Sequence, residues 1–148
     1  MRRAARGIII RGDELLVIDR DKFGKKYLTL PGGRIEMGEQ PEEAIRRELR
    51  EEASIQVGEC RLVFVEEAGD PYGTQYIFLC EYLGGEPELS ESSEEAAINK
   101  LGQNIHTPKW ESIDNLEEKS FVSEGLKQRI IAGHRDGFPQ EVDHFSTA

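Results

Sequence analysis

The chain has 148 residues, enough for one domain with a substantial core. Its 37% hydrophobic and 32% charged residues exclude wholesale disorder. A net charge of −10, from 29 acidic and 19 basic residues, argues against nucleic-acid binding, which favours a basic surplus.

Two cysteines, Cys60 and Cys80, form no CxxC pair, and no His/Cys group has zinc spacing. Both are expected as reduced thiols packed in strands. The basic start, residues 1–6, is followed by an apolar run of only Ile8 to Ile10, which Arg11 ends. That run is too short for a signal-peptide core or a membrane span, so a cytoplasmic protein with no membrane partner is expected.

In chain order, residues 6–11 and 14–20 read as two strands, joined by a Gly12-Asp13 hairpin turn. Residues 21–26 read as a polar, basic loop. Residues 26–30 alternate and form a third strand, after which Pro31-Gly32-Gly33 should break regular structure. Residues 40–53 read as a helix, with Pro41 in the first turn and Glu42 and Glu43 at the positive end of the dipole. Residues 61–67 and 74–83 are strand-like, linked by a Gly-Asp-Pro-Tyr-Gly loop at 69–73. The acidic stretch 84–103 reads as a surface loop with a short helix near 94–100. A last short strand is expected at 106–111 and a second amphipathic helix at 121–132; the tail from Gly133 onward has little periodicity. No repeat or linker divides the chain, so residues 1–148 are expected as a single domain. Its class is α+β, or mixed α/β, with helices flanking a sheet.

The first helix places carboxylates where apolar residues belong. With Glu48 at zero on a wheel of about 100° per residue, Ala44, Ile45 and Leu49 define the apolar stripe. Glu48 and Glu52 fall inside that stripe, and Glu51 falls at its edge. Arg46 and Arg50 point away. Buried carboxylates need partners. Arg47 can neutralise one; a hard divalent cation with oxygen ligands, Mg²⁺ above all, suits the rest. Gly32-Gly33 upstream lets backbone approach closely and brings a carbonyl near the glutamate face. The residues alone leave two readings: a metal site, or an unusual structural ion-pair network.

These residues resemble the Nudix (MutT-like) hydrolase signature, G-x₅-E-x₇-R-E-U-x-E-E-x-G-U, with U a bulky aliphatic residue. Gly33, Glu39, Arg47-Glu48, Leu49, Glu51-Glu52 and Ile55 occupy its defined positions. Ser54 stands where the signature has glycine. A left-handed serine there costs roughly 1 kcal/mol more than glycine, unless the helix ends differently and Gly58 absorbs the turn.

The resemblance implies a Nudix-like α/β/α sandwich, a mixed sheet flanked by helices. It implies a pyrophosphohydrolase of a nucleoside diphosphate linked to a group X, dependent on Mg²⁺ or Mn²⁺. ADP-ribose, dinucleoside polyphosphates and nucleoside triphosphates are the candidate substrate classes, and the protein itself a monomer or homodimer. Glu48, Glu51 and Glu52, with the Gly33 carbonyl, would ligate the metal. Arg47 would orient a glutamate, and Gly32 and Glu39 would support the shell. The general base would be Glu51 or Glu52, or a glutamate of the later acidic loop, Glu94 or Glu95, with Glu91 a further candidate. Lys25, Lys26 and Arg34, with Lys22, flank the Gly-Gly turn and are candidate phosphate contacts. Pro71 and Tyr72 fall at offsets that mark ADP-ribose and dinucleoside polyphosphate enzymes respectively, or else simply build a turn. Tyr72, Tyr76, Phe78 and Trp110 are candidates to stack on a base. The rival reading is a non-catalytic Nudix-fold nucleotide sensor or binding module.

Overall fold

The computed structural model describes residues 2–88 and 104–148. The helix expected near 94–100, and the candidate bases Glu91, Glu94 and Glu95, lie outside the described residues.

Among the described residues the strands form two sheets. The first is mixed. β1 (Arg3–Ile8) runs antiparallel to β5 (Gly32–Arg34) and parallel to β7 (Thr74–Gly84). β7 in turn pairs antiparallel with β6 (Gln56–Glu67), which runs parallel to β9 (Asp143–Ser146). The second sheet is antiparallel and centred on β3 (Glu14–Lys22). β2 (Ile10–Arg11) and β4 (Lys25–Thr29) pair with β3 along different stretches, and β8 (Asn104–Ser112) pairs with it from 14 to 22.

Alternation along the strands divides the core in two. Ala5, Leu16, Phe78 and Cys80 point into the cluster covered by α1 (Pro41–Glu48) and its π-helical continuation (Leu49–Ala53). Their neighbours Ile8, Leu15, Val17 and Ile77 point the other way. There they meet a 3₁₀ turn (Ile113–Glu118) and α2 (Glu124–Asp136) through Leu116, Leu126 and Ile130. Helices therefore lie against both sides of the strands, as expected. No helix among the described residues is long and apolar enough to cross a membrane.

Several expected elements are corrected. The strand at 6–11 is two strands in different sheets, parted at Ile9, whose carbonyl accepts from the Leu16 N–H. The loop at 21–26 is a tight hairpin: β3 and β4 stay paired to Lys22↔Lys25, and Phe23 and Gly24 turn the chain with φ of 52° and 87°. Both central residues have positive φ, as a primed hairpin turn requires, but Phe-Gly lacks the usual Asn-Gly signal. Gly32-Gly33 does not end regular structure; it pairs with β1 at Arg6 and Ala5. β6 begins five residues before its expected start. The second helix begins at Glu124 rather than 121, capped by Ser123 Oγ, which accepts from the Leu126 N–H. Phe121 precedes the helix in a bridge to Leu28. The tail supplies β9, which was not expected.

Candidate active site

The carboxylate face starts from how α1 is built. Gln40 precedes the helix, and its N–H donates to Glu43 Oε1 at 3.0 Å. Pro41 opens the first turn, where its missing N–H is harmless. Ala44, Ile45, Leu49 and Ala53 are buried against the sheet. Burying Ile45 and Leu49 contributes about 1.5–3 kcal/mol each. The helix widens to a π-turn from Leu49, so one side of the chain carries Glu48 from α-helical backbone and Glu52 from π-helical backbone. Such π-bulges concentrate at functional sites.

The wheel's ordering of the glutamates holds. Glu48 is 8% exposed and Glu52 4%. Glu51 is at the rim, its side chain 48% exposed. Arg46 and Arg50 face outward, Arg46 reaching the Gly58 carbonyl at 2.8 Å.

Two glycines make room for the buried pair. Gly32 has φ 144°, a region L side chains rarely adopt, and a Cβ there would collide with the Ala5 carbonyl. Its N–H donates to Glu52 Oε1 at 3.2 Å. At Gly33 a Cβ would lie 2.7 Å from the Glu48 carboxylate, so this carboxylate fills the space a side chain would take. The strand–Gly-Gly–helix order does bring backbone against the glutamates.

Arg47 organises the rim. It donates through Nε to Glu39 Oε2 at 2.8 Å and through Nη2 to Glu39 Oε1 at 3.1 Å, a bidentate fork. Nη1 meets Glu48 Oε1 at 2.7 Å and Glu51 Oε2 at 3.5 Å, and Nη2 also reaches the Arg34 carbonyl at 3.1 Å. The hydrogen bonds from Arg47 hold the Glu39 carboxyl below its usual range, and those same bonds push the guanidinium further up. Arg47 therefore stays a cation between three carboxylates.

A second cation, Arg6, lies behind the pair. Burial lowers its pKa, while the nearby charges of Glu52 and Glu48 oppose that fall. Arg6 is the register partner of Gly32. Its Nε donates to Gln75 Oε1 at 3.2 Å, and its Nη1 to the Leu30 carbonyl at 3.4 Å. No sequence pattern singled Arg6 out: one arginine in an alternating strand reads as a solvated position until its neighbours are known.

Arg6 also lines a cavity of about 420 Å³ with Arg20, Tyr27, Glu66, Tyr72 and Gln75. That volume suits a small-molecule site. Its polar wall is ordered. Glu66 Oε2 accepts from Ser123 Oγ at 2.7 Å and Thr147 Oγ1 at 2.5 Å, and Gln75 Nε2 donates to the Tyr72 carbonyl at 2.7 Å. The Arg20 guanidinium lies over the Tyr27 ring at 5.5 Å. The sequence missed this wall, because β1, β3, β6, β7 and the tail each supply one or two of its residues.

Of the expected substrate contacts, Tyr72 lines the cavity from the turn at 70–72, so it is both a turn residue and a wall. Tyr76 and Phe78 instead pack with the α1 cluster, as does Trp110, which meets Tyr82 edge to face at 5.2 Å. Lys26 lines a separate groove with Lys109 and Lys119. Lys25 is exposed beside the hairpin tip, and Arg34 borders a third groove with Glu36 and Glu39. The structure does not bring these three cations into the cavity.

Among the described residues no three His, Cys, Asp or Glu side chains are gathered closely enough to hold a metal ion as they stand. The donor chemistry nevertheless fits a hard divalent cation: carboxylate oxygens, with backbone approach kept open at Gly33.

A mixed sheet and an antiparallel sheet between helices, with an arginine-clamped carboxylate face beside a cavity, define a fold of the Nudix type. A NUDIX domain model matches residues 1–124, and the chain belongs to the Nudix hydrolase family. An 8-oxo-dGDP phosphatase of Danio rerio is 35% identical over 121 residues, covering 79% of this chain and 35% of the relative. An ADP-ribose pyrophosphatase of Methanocaldococcus jannaschii is 34% identical over 103 residues, covering 66% of this chain and 61% of the relative. The first curated relatives, NAD-capped RNA hydrolases among them, are matched over 30% to 36% of their own length, so this chain spans about a third of them. A MutT structure from work on Aliivibrio salmonicida and Vibrio cholerae superposes with a TM-score of 0.69 at 24% identity, covering 88% of this chain and 97% of that one. An ADP-ribose pyrophosphatase from Streptococcus suis gives 0.66 at 18% identity over 98% of both chains.

Proposed function

We propose that the chain is a divalent-metal-dependent pyrophosphohydrolase of a nucleoside diphosphate linked to a group X. The observation that carries this reading is the burial of Glu48 and Glu52 against Gly33 and the Gly32 N–H, beside Arg47 and Arg6. A purely structural helix gains nothing from two carboxylates inside its apolar stripe. Glu48, Glu51 and Glu52, with the Gly33 carbonyl, are the residues that would hold Mg²⁺ or Mn²⁺. The ion supplies charge neutralisation at the diphosphate and acidifies water bound there.

The chain's own residues do the rest. Arg47 fixes Glu48 through its fork on Glu39, so the carboxylate is preorganised. Glu51 stays exposed, held by one long contact to Arg47, and on this reading is the group at the edge of the metal shell that would take a proton from water arriving from solvent. Arg6 joins the carboxylate face to the cavity and is placed to meet a phosphate oxygen. Tyr27 and Tyr72 offer faces to a base, and Gln75 holds Arg6 and the Tyr72 carbonyl in place at the cavity wall. The cavity thus takes the nucleoside side of the substrate.

The relatives' names span ADP-ribose, an oxidised guanine nucleotide and a capped RNA, so the group X is open. The test is a panel with Mg²⁺: ADP-ribose, diadenosine polyphosphates, NADH, nucleotide sugars, and normal and oxidised nucleoside triphosphates. Selective turnover, lost in Glu52→Gln, is expected and names X. Binding without turnover across the panel would instead make the chain a nucleotide sensor.

A further inference from the structure

Cys60 and Cys80 have no part in the site described above, yet they stand directly opposite each other on β6 and β7. Both are free thiols, both are buried, and both point into the cluster beneath α1. Directly opposed residues on antiparallel strands have Cα atoms roughly 4.5–5.5 Å apart, inside the range a disulfide spans. Each thiol donates to a carbonyl two residues back on its own strand, Cys60 Sγ to Gly58 and Cys80 Sγ to Phe78, both at 3.8 Å.

We propose that Cys60 and Cys80 form a peroxide-sensitive dithiol that closes to an intramolecular disulfide beneath the carboxylate-bearing helix.

The pair is asymmetric. The neighbouring Cys80 thiol lowers the Cys60 pKa, burial opposes that fall, and the Arg46 guanidinium on α1 assists it against Glu42. The neighbouring Cys60 thiol, together with burial, raises the Cys80 pKa. Cys60, the more exposed of the two at 7% against 3%, is the attacking sulfur and Cys80 the resolving one. In the first step the Cys60 thiolate attacks one oxygen of hydrogen peroxide. The O–O bond breaks, hydroxide leaves, and Cys60 becomes a sulfenic acid. In the second, Cys80 sulfur attacks Cys60 sulfur, the S–O bond breaks, and the Cys80 proton leaves with the hydroxyl as water. Overall two thiols and one peroxide give one disulfide and two waters. The two thiols are oxidised and the peroxide is reduced.

The link joins β6 to β7 in the layer that Ile45, Leu49 and Ala53 pack against. Oxidation therefore alters the bed of the helix that carries Glu48 and Glu52 without touching either carboxylate.

The test uses the full chain, reduced with a phosphine, desalted, exposed to hydrogen peroxide, denatured and alkylated. Met37, fully exposed on the surface, serves as the internal control that peroxide has acted. The expected product has lost two hydrogens, takes up no alkylating agent, and yields a linked Cys60–Cys80 peptide that a reductant releases. In Cys80→Ser the Cys60 sulfenic acid should persist and be trapped by dimedone. Met37 sulfoxide with both cysteines still alkylated overturns the proposal. So does over-oxidation of either thiol without the link, or a link between two chains. The wild-type measurement decides the matter even if the variant fails to fold, and no hydrolase assay enters it.

Discussion

Ser54, where the family signature has glycine, allows the sharpest prediction. Its φ of 56° and ψ of 35° are left-handed, the conformation for which glycine is favoured. Gly58 does not absorb the turn; it is absent from the positive-φ positions. A non-glycine residue there costs about 1 kcal/mol. Two contacts offset the strain. Ser54 Oγ donates to the Glu88 carbonyl at 2.8 Å, and the Glu88 N–H donates to the Ala53 carbonyl at 3.0 Å. A hydrogen bond of the first kind contributes about 0.5–1.5 kcal/mol net. Ser54→Gly relieves the strain and loses the hydroxyl, so its stability should fall within about 0.5 kcal/mol of wild type by those two magnitudes. Ser54→Ala keeps the strain and loses the hydroxyl, so it should be about 1 kcal/mol less stable, a fall in Tm of roughly 3 °C for a chain of this size. Urea titrations followed by circular dichroism measure both. If Ser54→Ala matches wild type, the hydroxyl does not pin the helix end and the reasoning is refuted. Equal stability of the two variants would refute it also.

Gly33→Ala would put a Cβ 2.7 Å from the Glu48 carboxylate, so turnover on the best substrate should fall on the order of 10²-fold with circular dichroism unchanged. An unaltered kcat would show that Glu48 need not sit there. Arg47→Lys breaks the fork on Glu39 and the contact to Glu48, and should lower kcat about 10–100-fold. A loss confined to KM would place Arg47 on the substrate instead. His106 is buried, and burial with the nearby Arg20 charge lowers its pKa to about 4 from 6.5. Below pH 6.5 the unfolded chain binds a proton that the folded chain refuses, so stability falls as pH drops towards 4. The loss contributed is about 3 kcal/mol at roughly 1.4 kcal/mol per pKa unit. His106→Gln should flatten that part of the stability curve; parallel curves would count against a neutral buried imidazole.

The sequence revealed the carboxylate face because one helix carries it. Periodicity alone put Glu48 and Glu52 inside the stripe with Ile45 and Leu49, and their burial agrees. The π-turn was not legible, since helical spacing assumes uniform winding, yet it left both glutamates inward. The cavity is the opposite case. Arg6, Glu66, Gln75 and Thr147 are far apart in sequence, and strand pairing brings them together. β9 escaped notice because four residues with alternating burial give no periodic signal until β6 offers an edge. The β3–β4 hairpin escaped for a local reason: the charged ends of both strands read as a loop, and the turn residues were atypical. Local pattern thus reported the helix-borne half of the site, and topology built the other half.

The central claim is that the Glu48–Glu52 face hydrolyses a phosphoric anhydride with a divalent ion. Its most direct test is the initial rate of cleavage of the preferred panel substrate against Mg²⁺ concentration, for wild type and Glu52→Gln side by side. Wild-type rate should rise from near zero to saturation and collapse with a chelator, while Glu52→Gln stays lower on the order of 10²–10³-fold at every concentration. A wild-type rate that survives the chelator, or a Glu52→Gln enzyme that keeps pace, would contradict the account.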